Sequence, residues 1–319
     1  MSDTAKSDHT AKSEIAGTSD HTAGTSDHTA SIAKADTAKP VSAVKSDQRV
    51  KAYNTPKENA AAAVAAGVAK ASLKPGNALV GGFLAGAYIA FGGLLAVVAS
   101  AGMDPQVWGG LITVVTGLVF SMGLILVIVG GAELLTGNMA LIPIALMARR
   151  VGIARLLQNW LWVTLGNLAG AVFVAYVLAD RTGVLAKTGS ISATQGYARL
   201  GAITMSKAVS ETHLEQFLRA MGCNWLVCLA VWLALAAHDI AGKILAIIFP
   251  ITAFVALGFD HVVANMFFLP AAMFLETGGV TFSNMTLNLF FAYLGNAVGA
   301  EVFVAGAYWY LYLRDQPAD

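Results

Sequence analysis

The chain has 319 residues, 56% of them hydrophobic and only 12% charged, with a mean hydropathy of +0.65 and a formal net charge of +1. A soluble protein is about one quarter charged, so this composition excludes an ordinary soluble domain. Ten of the twenty Lys and Arg and eight of the nineteen acidic residues fall within residues 1–74, which leaves the rest of the chain fit for lipid. The near-zero net charge gives no argument for a nucleic-acid partner, and none is expected.

Residues 1–56 are a different material from the rest. "SDHTA" occurs at 7–11, 19–23 and 26–30 among Ala, Lys, Ser, Thr and Asp. Such a segment has too little apolar surface to offset its ordering entropy and is predicted to be disordered. Its His9, His21 and His28 are read as part of a solvated tail rather than as a metal site, and no apolar signal region follows the start. The Ala-rich stretch 57–74, flanked by Lys57, Lys70 and Lys74, suits a helix at the membrane interface. The membrane domain is predicted over 57–319, its first half at about 78–179 and its second at about 211–313.

A helix crossing about 30 Å of hydrocarbon needs roughly 20 apolar residues. By that measure Ala78–Ala101 is a first span, Leu156–Ala179 a third, Ala220–Ala237 a fourth and Asn284–Leu313 a sixth. Pro105–Ala148 and Ile244–Leu275 are overlong for one crossing and too uninterrupted for two, and each holds a carboxylate, Glu133 or Asp260. The prediction is an all-α membrane protein of six spans whose second and fifth helices are broken. Cys223 and Cys228 lie in one apolar span at a spacing that does not face them, so they are read as packing residues. No metal site and no cofactor are expected.

The two overlong segments match each other. "GAELLTGNM" (131–139) aligns with "GFDHVVANM" (258–266), pairing Gly131 with Gly258, Glu133 with Asp260 and Asn138 with Asn265. "NWLWVTLGNLAGA" (159–171) likewise aligns with "NLFFAYLGNAVGA" (288–300) at nearly the same offset. Two pairings at nearly one offset indicate an internal duplication. Three spans per half is an odd number, so the second half enters the membrane inverted, and matched interruptions in inverted repeats point to a transport site near the midplane. Arg149, Arg150, Arg155 and Arg314 place both termini in the cytoplasm of a multi-pass plasma-membrane protein.

A helix broken within a bilayer exposes N–H and C=O groups that protein or a wet cavity must satisfy. Gly131, Gly137 and Gly258 are read as permitting the breaks, and Glu133, Asn138, Asp260 and Asn265 as capping the exposed ends. His261 has no such duty, since Leu134 stands at the matching position. An ionisable side chain at membrane depth is therefore a functional candidate.

"GAELLTGN", "CNWLVCLAVW", "GFDHVVANMFF" and "GNAVGA" together resemble the signature segments of the formate/nitrite transporter family, over residues 57–314. The resemblance implies a homopentamer of aquaporin-like protomers that conduct small monovalent anions across the bilayer, as a channel or with proton coupling. It places the family's central histidine on His261 and the hydroxyl that bonds toward it on Thr136. The remaining relay positions fall on Lys207 at an entrance, Asn224 and Asn296. A cytoplasmic apolar ring would comprise Phe120, Leu124 and Phe254, and a second ring Leu135 with Val227. One departure is "GAEVFVA" at 299–305 against "GAVFVA" in the first half, which inserts Glu301, a carboxylate with no assigned environment.

Histidine suits the relay because its ordinary pKa of about 6.5 lies near physiological pH, whether it donates a proton or only a hydrogen bond. A water or glycerol channel is disfavoured, since no Asn-Pro dipeptide occurs. A membrane enzyme using Glu133, Asp260 and His261 lacks any HExxH, GxSxG or phosphate-loop context. Formate is the first expected substrate, with nitrite or hydrosulfide as alternatives.

Overall fold

Proline and capping side chains set where the helices start. The computed structural model describes residues 51–315. Pro56, Pro75 and Pro105 open α1 (Pro56–Ala71), α2 (Pro75–Ser100) and the single turn α3 (Pro105–Trp108), where a missing N–H costs nothing. In α1 the Thr55 and Glu58 side chains form a capping box, and Lys51 with Thr55 holds the Glu58 carboxyl down to about 2. The chain continues through α4 (Leu111–Gly130), α5 (Leu135–Met147) and α6 (Ile153–Phe173), the last running on as a π-helical stretch, Val174–Asp180. Ser190 caps α7 (Ile191–Thr204), which passes into a second π-helical stretch, Met205–Ser210. Thr212 caps α8 (His213–Ala236), Asp239 caps α9 (Ile240–Ala256), and α10 (Val262–Phe274) follows. Thr281 caps α11 (Phe282–Ala300), and a third π-helical stretch, Glu301–Gly306, leads into α12 (Ala307–Tyr312).

The tail expected over 1–56 lies outside the described residues as far as residue 50. Residues 51–55, counted in that tail, are held by the fold. Tyr53 pairs with Ala237, the Asn54 N–H donates to Ala236 O at 2.9 Å, and the Asn54 amide donates to Leu235 O at 3.2 Å. Apart from that bridge, the regular structure among the described residues is helical.

Five continuous helical stretches are long and apolar enough to cross a membrane, at Pro75–Ser100, Leu111–Gly130, Ile153–Asp180, His213–Ala236 and Phe282–Tyr312. The shorter apolar helices are α5, α9 and α10. The predicted second span is thus α4 and α5 with an extended break between them, and the predicted fifth is α9 and α10. Both breaks turn on a left-handed glycine, Gly131 at φ 77° and Gly258 at φ 71°, a conformation that costs other L-residues free energy. Gly137, read from the sequence as permitting a break, instead lies inside α5 with no positive φ.

The packing repeats the same pairing twice: α2 lies against α4 and α6, and α8 lies against α9 and α11. In α1 Ala60, Ala63, Gly67 and Ala71 are buried, and a Cβ on Gly67 would stand 1.9 Å from Leu141 O, so one face of this helix is seated on α5 while Lys57, Ala61, Ala65 and Ala69 stay exposed on the other. Contact between α2 and α6 is equally close. A Cβ on Gly170 would meet Phe83 O at 1.9 Å, and one on Gly86 would meet Asn167 O at 2.0 Å. Small residues give lipid-embedded helices the close approach that the hydrophobic effect does not supply there. Glu301, the inserted residue, opens the π-helical turn of the last span, the form in which a helix absorbs one extra residue.

Gly170→Ala is expected to destabilise the protein by about 1–3 kcal/mol despite alanine's better helix propensity, because the backbones must separate. Thermal unfolding in detergent micelles checks this, and a variant as stable as the parent would contradict the close approach.

Candidate functional site

The site is built at the two breaks, and the first requirement is to satisfy the backbone exposed there. At the first break the side chain of Asn167, from α6, accepts the Leu135 N–H at 3.0 Å and donates to Gly82 O at 2.8 Å and Glu133 O at 2.9 Å. At the second, Asn296 from α11 accepts the Val262 N–H at 2.9 Å and donates to Ala220 O at 2.7 Å and Asp260 O at 2.9 Å. Each amide fills the first orphan donor of a half-helix and the carbonyl of the carboxylate residue ahead of it. Asn296 was expected in the anion relay. Its amide is instead fully engaged as a joint.

The charged residues form a second matched set. Lys70 Nζ donates to both Glu133 carboxylate oxygens at 3.0 Å. Asn138 donates to Glu133 Oε2 at 3.0 Å and to Asn159 Oδ1 at 2.9 Å, and Asn159 donates back to Lys70 O at 2.9 Å. In the other half Lys207 Nζ donates to Asp260 Oδ1 at 2.9 Å and Phe259 O at 3.1 Å. Asn265 donates to Asp260 Oδ1 at 2.9 Å and Asn288 Oδ1 at 2.8 Å, and Asn288 donates to Lys207 O at 3.0 Å. Contrary to expectation, Glu133, Asn138, Asp260 and Asn265 cap no helix end; the two carboxylates pair with half-buried lysines, and the two amides donate to those carboxylates. Lys70, read from sequence only as an interfacial flank, is the residue that reading missed. Its signal was its position a few residues ahead of α2, as Lys207 stands ahead of α8.

Between the breaks the halves are tied together. The Asn224 amide donates to Thr136 O at 3.2 Å and Asn296 O at 2.8 Å, and the Cys228 thiol donates to Thr136 O at 3.3 Å. Cys223 and Cys228 are buried and unbridged, as their spacing implied. Thr136 Oγ1 lies 2.9 Å from His261 Nε2. The second ring nitrogen is committed: His261 caps α10, its Nδ1 accepting the Ala264 N–H at 3.1 Å. An acceptor Nδ1 carries no proton, so Nε2 bears the N–H and aims it at the threonine oxygen. His261 therefore has the capping duty that sequence reasoning denied it.

Two cavities flank this tie. The greater, of about 230 Å³, is lined by Phe120, Phe254, His261 and Lys207, together with Arg199, Glu211 and Arg219. The lesser, of about 30 Å³, is lined by Lys70, Leu124, Ala132, Leu134, Gly137 and Asn138. Phe120 and Phe254 meet edge to face with centroids 5.7 Å apart, and the Phe254 ring lies 5.9 Å from the imidazole. Phe120 and Leu124 are one turn apart on α4, so about 6 Å of helix separates the residues that border the two spaces. The expected ring of Phe120, Leu124 and Phe254 is thus split between the cavities.

The ring was also expected on the same side as the N-terminus. The greater cavity is lined from α7 and the π-helical stretch after it, at the end where Arg199 bonds Ser100 and Tyr197 bonds Glu276 O. Residues 53–54 meet 236–237 elsewhere, at the opposite ends of α2 and α8. The Phe120–Phe254 pair thus lies toward the end of the helices away from residues 53–54. Leu135, Val227, Asn224, Asn296 and Thr136 are buried and line neither cavity, and neither does Glu301.

Residues 57–310 match the family model described as "Formate/nitrite transporter". Over 272 residues the chain is 47% identical to a protein named "Probable formate transporter" from Methanothermobacter thermautotrophicus, an alignment covering 82% of this chain and 98% of that one. Among solved structures it is similar to one titled "FNT family ion channel", with a TM-score of 0.72 and 29% identity, covering 80% of this chain and 98% of that one. A second, "Pentameric formate channel with formate bound", gives a TM-score of 0.65 at 29% identity, covering 75% and 98%.

Because Asn167 and Asn296 make the same three bonds, Asn167→Leu and Asn296→Leu are expected to destabilise by similar amounts, about 3 kcal/mol each, through the backbone groups left unpaired. Parallel thermal unfolding of the two variants is the measurement. One variant unfolding like the parent would show its joint to be dispensable.

Proposed function

Because the chain belongs to the formate/nitrite transporter family, we propose that this multi-pass membrane protein passes small monovalent anions, formate foremost, from one cavity to the other beside His261. Its named relatives are transporters and channels, which argues against a catalytic reading of Glu133, Asp260 and His261. The observation that carries the proposal is the pair of lysine-bearing cavities separated by about one helical turn, with the imidazole lining the greater one.

The chain is read as six spans in two inverted halves, about 78–179 and 211–313, preceded by the helix 57–74 and the tail 1–56. The partner-for-partner match between the Lys70–Glu133–Asn138–Asn159 and Lys207–Asp260–Asn265–Asn288 sets supports that reading. Both termini then lie in the cytoplasm of a plasma-membrane protein. The solved relative described as a pentameric formate channel supports a homopentamer with one pathway per protomer.

A bare anion between apolar side chains would lose its hydration, at a cost that no single lysine offsets. Lys207 raises the local anion concentration in the greater cavity, although Asp260 balances much of its charge. Phe120 and Phe254 then strip water from the anion. His261 supplies the Nε2–H, with Thr136 holding the ring's donor in line between transits. Proton donation by the ring would require a new proton on Nδ1 and loss of the Ala264 bond, so hydrogen-bond donation is the role the geometry supports. Leu135 and Val227 close the far side as an apolar ring, with Asn224 and Asn296 fixing the backbone around it. Lys70 receives the anion in the lesser cavity.

Two measurements test this. Stopped-flow flux through proteoliposomes is expected to show passage of formate, nitrite and hydrosulfide but little of larger monocarboxylates; flux no greater than through empty vesicles sinks the transport reading. His261→Ala is expected to assemble normally and to slow formate about tenfold or more, the value of a hydrogen bond to a charged group. Unchanged flux in that variant removes the histidine from the route.

A further inference from the structure

The greater cavity holds more charge than an anion entrance with one lysine needs. Arg199, Lys207 and Arg219 line it, and so does Glu211, which directly follows the π-helical stretch Met205–Ser210. Arg199 Nε donates to Ser100 Oγ at 2.9 Å. Arg219 Nη1 donates to Glu211 Oε1 at 2.8 Å, and the Ser206 hydroxyl approaches the same oxygen at 3.4 Å. The Glu211 side chain is only 4% exposed, yet its Oε2 is buried with no donor.

Asp260 shows the same pattern from the other side. Its side chain is fully buried, Lys207 and Asn265 both donate to Oδ1, and Oδ2 is buried with no donor. The two carboxyl groups stand within hydrogen-bonding reach of each other. If both were ionised, like charges would meet with an unpaired oxygen left on each side. One proton between them satisfies both oxygens at once.

We propose that Glu211 and Asp260 share a single proton, held chiefly by Glu211, and that its loss is the switch that weakens anion binding in the greater cavity. The proposal rests on the transport reading above. Asp260 is the ionised partner because an ammonium and an amide both point at its Oδ1, whereas Glu211 faces one arginine whose side chain is 38% exposed. Burial, then the neighbouring Asp260, pushes the Glu211 carboxyl up to about 8, against a smaller pull from Lys207 and Arg219. While Glu211 is protonated, three cations face one carboxylate, and the cavity attracts anions. When it releases its proton to water at the cavity mouth, two carboxylates face the same cations and the attraction weakens. The other titratable groups nearby are the His261 imidazole, which lines the cavity, and the buried Cys223 thiol. On the same helix Glu215 is turned outward to cap Thr212.

Glu211→Gln in the full chain tests the switch, since the amide can still donate to Asp260 and cannot ionise. In proteoliposomes the wild type is expected to bind formate about fivefold more weakly on the alkaline side of the titration, and the variant to keep the tight value throughout. Equal weakening in both, or none in the wild type, overturns the proposal. Infrared spectra of carbon-13-glutamate-labelled protein in lipid, on a Glu301→Gln background, supply a readout independent of flux. A protonated glutamate carbonyl band that vanishes at alkaline pH supports the shared proton, and its absence overturns it, even if Glu211→Gln does not assemble. Loss of formate flux in the wild type with that band present would end the transport reading and leave the shared proton standing.

Discussion

A helix broken in the middle of a bilayer leaves N–H and C=O groups with no water to receive them, and the architecture follows from how that demand is met. Here two asparagines from neighbouring helices meet it. Asn167 and Asn296 each take one half-helix N–H and give to two carbonyls, in the same order and at nearly the same distances. Because these amides belong to α6 and α11, the breaks are held from outside, and the residues within them are released for other work. That is why Glu133 and Asp260 are available to neutralise Lys70 and Lys207, and why a histidine can stand at the head of α10.

The same economy explains the electrostatics. An ammonium buried without a partner is too costly to retain, but one fully neutralised has little to offer an anion. In the greater cavity the balance is intermediate: Lys207 is paired with Asp260, while Arg199 and Arg219 add charge that, among the described residues lining it, Glu211 is placed to offset. Among the described residues, the cation lining the lesser cavity is Lys70, which Glu133 holds through both oxygens. The two sides are alike in plan and unlike in charge.

His261 shows how a capping bond on one ring nitrogen decides what the other can offer. Its Nδ1 closes the first turn of α10 and so fixes the ring's tautomer and direction, and Nε2 can then present only a donor. A residue without the cap would have two tautomers and a freer ring. Its counterpart Leu134 makes no such cap, and the Thr136 hydroxyl comes from that first half to meet the imidazole. The polar centre of the route is thus asymmetric, although the joints around it match.

The amino-acid sequence alone determined the apolar spans, the two breaks and the paired segments, because these are written in runs of residues and in spacings along one dimension. Gly131 and Gly258 were legible as breaks for that reason, whereas Gly137, two residues inside a helix, was not distinguishable from them by type. The tertiary structure decided which group satisfies which. That Asn296 is a joint, that Lys70 is the mate of Glu133, and that Leu124 borders a different cavity from Phe120 all depend on distances between residues far apart in the chain. Glu211 is the extreme case: nothing in its neighbourhood along the chain marks it, and only the fold brings its carboxyl against Asp260, where a charge that water would tolerate must be shared or given up.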